Sequence, residues 1–205
     1  MKVGILAVQG DFEAHAAMLA RMGVEHRYVF RPEELEGCDA LILPGGESTT
    51  QLQFLQEEGL FGCIARFAQQ GGAIFGTCAG AILLAREVRR PSQASLGLLD
   101  IAVARNAYGR QIASEVKWGA TKLKEEPLEM VFIRAPIIER VGPGVEVLAE
   151  SEGHPVLVRC GRLLAAAFHP ELTEDTTVHA EFLKMIGSAE AVRANRGAAS
   201  EVVPT

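Results

Sequence analysis

Two glycines flank a single cysteine in the segment Ala73-Ile74-Phe75-Gly76-Thr77-Cys78-Ala79-Gly80-Ala81. An apolar run ends at Gly76, and a helical pattern of small residues opens just past Cys78. Few backbones accept such a stretch. A side chain pushed out at a tight strand-to-helix turn needs small neighbours two residues away on each side, and Gly76 and Gly80 supply them. The pattern is the thiol counterpart of the Gly-x-Ser-x-Gly nucleophile elbow. It sets Cys78 at a helix N-terminus, where the dipole and unpaired N–H groups favour thiolate. It also points the amide of Ala79 at a developing oxyanion. Taken alone, Cys78 fits a buried core thiol equally well.

The rest of the first half has the rhythm that an elbow needs. Val3–Val8, His26–Phe30, Ala40–Leu43 and Gly72–Phe75 read as strands. Between them, helical patterns follow Asp11, open at a Ser48-Thr49-Thr50-Gln51 capping box, and run from Gly59 to Gln69. Continuous apolar strands alternating with helices imply a parallel sheet covered on both faces. The second half reads as strands at Leu98–Arg105, Met130–Ile133, Val145–Ala149, Val156–Arg159 and Leu163–Phe168, then a helix from about Thr176 to Ile186. The expected fold is α/β: a three-layer, doubly wound, mostly parallel, flavodoxin-like sheet, with antiparallel additions to that same sheet. A chain of 205 residues, 48% hydrophobic, fits one domain over residues 1–195, with a small polar tail at 196–205 expected to be disordered.

Several classes are set aside. A net charge of −6 argues against a nucleic-acid or anionic-membrane binder. Cys38, Cys63, Cys78 and Cys160 form no Cys-x-x-Cys pair, so neither a disulfide scaffold nor a zinc site is expected. The N-terminal apolar run stops at Gln9-Gly10-Asp11, too early for a signal peptide. A cytoplasmic protein without metal or cofactor is the expectation.

A cysteine nucleophile needs a base. Of five histidines, His169 ends an apolar strand and precedes Pro170 and Glu171. In an extended segment residues two apart point the same way. Glu171 could then hold one imidazole nitrogen while the other faces the thiol, a Cys-His-carboxylate relay. Alone, His169-Pro170-Glu171 also reads as a surface turn. His15 and His179 fall on helical patterns as solvated or packing residues. Gly45-Gly46-Glu47-Ser48 follows a strand and would share the carboxyl edge of the sheet with Cys78, where open α/β sheets bind ligands. Gly46 could give the second oxyanion amide. The loop lacks the Walker spacing and lysine of a phosphate loop, and a plain glycine turn before a capped helix fits it too.

With these pieces in place, the chain resembles the class I (Cys-His-Glu) glutamine amidotransferases. Ala7-Val8-Gln9-Gly10, Leu43-Pro44-Gly45-Gly46-Glu47-Ser48-Thr49-Thr50, Phe75-Gly76-Thr77-Cys78-Ala79-Gly80, Arg105-Asn106-Ala107-Tyr108-Gly109-Arg110-Gln111, Phe132-Ile133-Arg134-Ala135-Pro136 and His169-Pro170-Glu171 occur in order. That set is similar to the family of glutaminase subunits of pyridoxal 5′-phosphate synthase. The resemblance implies a class I amidotransferase fold and hydrolysis of L-glutamine to L-glutamate and ammonia by Cys78, His169 and Glu171. It implies glutamine contacts at Gly46, Glu47, Ser48, Arg105, Ile133 and Arg134. An arginine, Arg105 or Arg134, would hold the substrate carboxylate and Glu47 its ammonium; without the resemblance both arginines read as solvated or salt-bridged. It also implies a lyase subunit, present in many copies, that takes the ammonia to make pyridoxal 5′-phosphate from ribose 5-phosphate and glyceraldehyde 3-phosphate. Gln9 and the first helix would lie near that contact. The chain departs from the usual family pattern at Glu13-Ala14-His15, where Arg-Glu-His is common, and at Ile137, where His is common. A cysteine peptidase or γ-glutamyl hydrolase on the same elbow, and a non-enzymatic module, are the competing classes.

Overall fold

The computed structural model describes residues 1–105 and 114–187. The expected tail at 196–205 and the Asn106–Gln111 part of one motif lie outside them. The elements are β1 (Lys2–Leu6), α1 (Phe12–Arg21), β2 (Glu25–Val29), α2 (Pro32–Leu35), β3 (Ala40–Leu43), α3 (Ser48–Glu57), α4 (Leu60–Gln69), β4 (Ala73–Thr77), α5 (Ala79–Leu84), β5 (Ala85–Arg89), β6 (Leu99–Ala104), β7 (Ser114–Gly119), β8 (Leu128–Ile133), β9 (Ile137–Val141), β10 (Glu146–Ser151), β11 (His154–Cys160) and β12 (Leu163–Ala166). A 3-10 turn follows at Pro170–Leu172, and a last helix, α6, spans 177–187.

The central sheet has seven strands in the order β10-β11-β12-β4-β3-β1-β2. β2, β1, β3, β4 and β12 run parallel, and β11 and β10 continue antiparallel at one side. Alternation along each strand splits the core into two layers. Val3, Ile5, Ala40, Ile42, Phe75 and Leu164 pack on one face with α1, α6, Met130 and Phe132. Leu6, Leu41, Leu43, Ile74 and Ala165 pack on the other with α3, α4 and α5. Strands buried on both faces are the reason the first half reads as unbroken apolar runs.

The second half differs from expectation in one respect. Its strands do not all join the central sheet. β5, β6 and β9 form a separate three-stranded sheet, and β7 pairs with β8 in a two-stranded ribbon. The elbow helix gives way to β5 at Ala85, and α2, β5, β7 and β9 are not among the elements expected from the sequence. Ala85–Arg89 is buried only at Ala85 and Val88, and Ser114–Gly119 presents its side chains mainly to solvent. Neither offers the apolar run that betrays a central strand. Among the described residues no helix is long and apolar enough to cross a membrane.

Candidate active site

The carboxyl ends of β1, β3 and β4 meet at one edge of the central sheet, and the site is assembled there. At the end of β4 the chain turns sharply into α5, and Cys78 takes φ 49°, ψ −101°. A non-glycine residue is held in that region only when its surroundings over-determine it. Two constraints do so. The Cys78 N–H donates to Ala166 O at 2.8 Å, and the helix is pressed onto β3: a Cβ at Gly80 would lie 1.9 Å from Leu43 O, and one at Gly76 would lie 2.5 Å from the Gly80 backbone. The flanking glycines therefore permit close packing of elbow and sheet. The Cys78 thiol contacts Ile133 O at 3.8 Å, at the end of β8. Ala79 is the first residue of α5, so its N–H is one of the four that helix geometry leaves without an intrahelical acceptor.

His169 and Glu171 meet by a route other than extended alternation. β12 ends at Ala166, and His169 instead caps the 3-10 turn of Pro170–Leu172. Its N–H donates to Val131 O at 2.8 Å, tying the turn to β8. Its Nδ1 lies 2.8 Å from Glu171 Oε1. Burial opposes charge on His169, but hydrogen bonding to the Cys78 sulfur and to the Glu171 carboxylate outweighs it and pushes the pKa up to about 10. Glu171 is held below the usual carboxylate range: burial opposes ionisation, and His15 and His169 overcome it. Asp11 Oδ2 also approaches His169 Nδ1, at 3.5 Å. Asp11, His169 and Glu171 are the one cluster among the described residues with metal-ligand proximity, and the His169–Glu171 hydrogen bond already accounts for it.

The Gly45-Gly46 loop packs directly on this pair. A Cβ at Gly45 would lie 2.2 Å from His169 Cε1. The loop is tied down by Gly45 N–H to Thr77 Oγ1 at 3.0 Å, by Asp11 N–H to Gly45 O at 3.1 Å, and by Glu47 N–H to Gln9 Oε1 at 2.8 Å. The expected capping box is displaced by one residue. Glu47, not Ser48, caps α3, accepting from Thr49 N at 3.2 Å and Thr50 N at 2.7 Å. The longer carboxylate reaches two amides at once, while the Ser48 hydroxyl contacts Gln93 Oε1 at 3.2 Å.

A cavity of about 380 Å³ joins these parts, lined by Gly46, Glu47, Ser48, Cys78, Arg105, Ile133, Arg134 and His169 together with Gln9, Asp11 and Ile82. Of the residues expected to act, only Ala79 and Glu171 do not line it. Ala79 starts the helix behind Cys78, and Glu171 stands behind His169. Arg105 donates to Glu47 at 3.3 Å and to Thr49 Oγ1 at 2.9 Å. Arg134 has φ 43°. A larger cavity, about 550 Å³, opens near Cys38, Cys63, Gly72 and Arg162. It lies at the amino ends of β3, β4 and β12, away from this chemistry.

Three residues of the neighbourhood escaped the sequence reading: Thr77, His15 and His179. All three are fully buried. Of the two readings of the histidines, solvated or packing, burial removes the first and fits the second; their rings also hydrogen-bond to each other, and that of His15 to Thr77. Periodicity carried the signal, since His15 shares a helical face with Phe12, Ala16 and Leu19, and His179 with Val178 and Phe182.

Known proteins share the sequence and the fold of this chain. The profile of the SNO glutamine amidotransferase family matches residues 5–188. A protein of Koribacter versatilis named pyridoxal 5′-phosphate synthase subunit PdxT is 54% identical over 186 residues, covering 91% of this chain and 96% of the relative. One of the same name from Pelotomaculum thermopropionicum is 52% identical over 185 residues, covering 90% and 94%. A crystal structure described as a glutamine amidotransferase superposes with a TM-score of 0.85 at 48% identity, covering 90% of this chain and 98% of that one. The chain belongs to the SNO glutamine amidotransferase family.

Proposed function

We propose that this chain is the glutaminase subunit of a pyridoxal 5′-phosphate synthase, hydrolysing L-glutamine and passing the ammonia to a synthase partner. The relatives are named as subunits of that synthase. The observation that carries the reading is the elbow cysteine at φ 49° beside a His169 whose other side is bonded to Glu171 at 2.8 Å.

The Cys78 sulfur attacks the side-chain carboxamide carbon, and the carbonyl oxygen becomes an oxyanion, received by the N–H groups of Ala79 and Gly46. His169, kept protonated by its two neighbours, gives its proton to the amide nitrogen as the C–N bond breaks, and ammonia leaves. The neutral ring then takes a proton from water, hydroxide adds to the thioester, and the C–S bond breaks to release glutamate. Glu171 orients the ring and supports its charge. Glu47 receives the substrate ammonium. Arg134 receives the carboxylate, because Arg105 is already paired with Glu47.

An electrophilic glutamine analogue tests the reading. It should label Cys78 alone among the four thiols, and Cys78→Ala should stop glutamine hydrolysis while ammonia-fed synthesis by the assembled complex continues. Labelling at another cysteine, or none with the partner present, defeats the proposal.

A further inference from the structure

Behind Glu171 lies a string of buried groups that the steps above do not use. His15 Nε2 is 3.1 Å from Thr77 Oγ1 and 3.5 Å from Glu171 Oε1. His15 Nδ1 is 3.0 Å from His179 Nε2. Thr77 Oγ1 is 3.4 Å from Glu171 Oε1. The string joins α1, β4, the 3-10 turn and α6 through side chains without solvent contact.

The protons in this string have one sensible arrangement. The Thr77 oxygen accepts from Gly45 N–H and owns a single proton. Were that proton given to His15, a bare Nε2 lone pair would face the Glu171 carboxylate. Repulsion disfavours this, so Thr77 donates to Glu171 and His15 carries its proton on Nε2. Burial lowers the pKa of His15, and it lowers that of His179 to about 3, with His15 as the next cause. Both rings are therefore neutral. A neutral His15 protonated at Nε2 accepts at Nδ1, from His179 Nε2–H. His179 Nδ1 is then a bare acceptor, and it is one of the few buried side-chain atoms without a hydrogen-bond partner. The reversed order would strand a buried N–H donor there instead, the more costly orphan. Every proton thus points towards Glu171.

We infer that His15 is a positioning residue, set in one tautomer by His179, which with Thr77 fixes Glu171 Oε1 under His169. The inference rests on the glutaminase reading. Its physical basis is lopsided bonding: Glu171 Oε2 has no partner, so a carboxylate with a soft terminal torsion is held through Oε1 alone. His15 Nε2–H donates to Thr77 Oγ1 at 3.1 Å and so turns the Thr77 hydroxyl proton to Glu171 Oε1. Deleting that donor frees the hydroxyl to rotate and the carboxylate to turn away from His169.

Glutaminase kinetics of the full chain with its cognate synthase subunit provide the test. His15→Leu should lower kcat by roughly 10- to 100-fold, the range for a hydrogen bond to a charged group. KM for glutamine should hardly change, and the His169 ionisation in the pH profile should move down. His15→Gln, whose amide can donate, should recover most of the loss. Wild-type kcat and pH profile in His15→Leu, or a Gln variant no better than Leu, overturns the inference. If the variants fail to fold, imidazole ¹⁵N shifts of the wild-type chain decide. Protonation of His15 at Nε2 supports the wiring, and protonation at Nδ1 refutes it. A wild-type chain inactive with its partner, and unlabelled at Cys78 by the analogue, defeats the glutaminase reading instead; the tautomer still judges the wiring.

Discussion

Arg105 donates to the carboxylate of Glu47 at 3.3 Å across the mouth of the cavity. The two groups expected to divide the charges of an amino acid between them are joined to each other. Glu47 is doubly engaged, since it also caps α3 through Thr49 and Thr50. Burial works against its charge, yet those hydrogen bonds hold its pKa below the ordinary value. Both groups line the cavity, and each partly neutralises the other. Arg134, in the same cavity, has no carboxylate within ion-pair distance among the described residues.

The two arginines should therefore differ. Arg134→Ala is expected to raise KM for glutamine by roughly 10- to 100-fold, the range for a charge-assisted hydrogen bond, with a small change in kcat. Arg105→Ala should raise KM less, acting through a loosened Glu47. Steady-state kinetics of both variants with the partner subunit check this. A larger KM effect from Arg105 would reverse the assignment.

Gly45 is a sterically forced glycine. The Cβ of Gly45→Ala would lie 2.2 Å from His169 Cε1 and 2.8 Å from Nδ1. His169 is held by Glu171 and by Val131, so loop and ring must part, and both belong to the site. A loss of kcat of about 100-fold or more is expected, comparable to removing an oxyanion donor, with slower labelling of Cys78. Gly62→Ala on α4 is the control, because its Cβ meets only the Arg66 side chain at 3.4 Å. It should keep full activity and gain roughly 0.5–1 kcal/mol in stability. Near-normal turnover in Gly45→Ala would detach the loop from the mechanism.

What the sequence showed and what it hid have physical causes. The parallel half of the sheet was legible because Val3–Leu6, Ala40–Leu43 and Ala73–Phe75 are buried on both faces, so their apolar runs need no partner to be recognised. The elbow was legible because only glycine fits at Gly76 and Gly80. The pairing of His169 with Glu171 was foreseen but by the wrong geometry, since a 3-10 turn and not an extended strand brings them together. Half-exposed strands such as β7 left little trace. His15 and His179 were hidden for another reason: a polar residue on an apolar helix face looks the same in sequence whether it merely packs or meets a partner 164 residues away.

The displaced helix cap gives a stability prediction. Glu47→Ala removes the acceptor for two amides of the first turn of α3 and should cost about 1 kcal/mol. Ser48→Ala, which removes no cap, should cost less, although Ser48 is the residue a capping-box reading selects. Urea unfolding followed by circular dichroism compares them. Equal costs, or a greater cost at Ser48, would contradict the cap seen here.

The buried histidines set the pH range of stability. In the unfolded chain each titrates near 6.5, whereas in the folded chain burial lowers His15 and takes His179 to about 3. As pH falls below 6.5, the unfolded state binds protons that the native state refuses, so stability drops, by up to about 1.4 kcal/mol per pH unit for each ring. Glu171 adds to this below 4.5, being depressed in the folded state. His169 has the opposite sign. Its native pKa of about 10 lies above 6.5, so its contribution is complete below 6.5 and is lost as pH rises towards 10. The urea midpoint of the full chain should thus peak near neutrality and fall on both sides. His179→Leu should flatten the acid side and leave the alkaline side in place. Cys78→Ala should flatten the alkaline side, because the Cys78 sulfur is the leading influence that raises His169. Midpoint profiles that run parallel to the wild type in both variants would show that these rings titrate in the folded chain much as they do in the unfolded one.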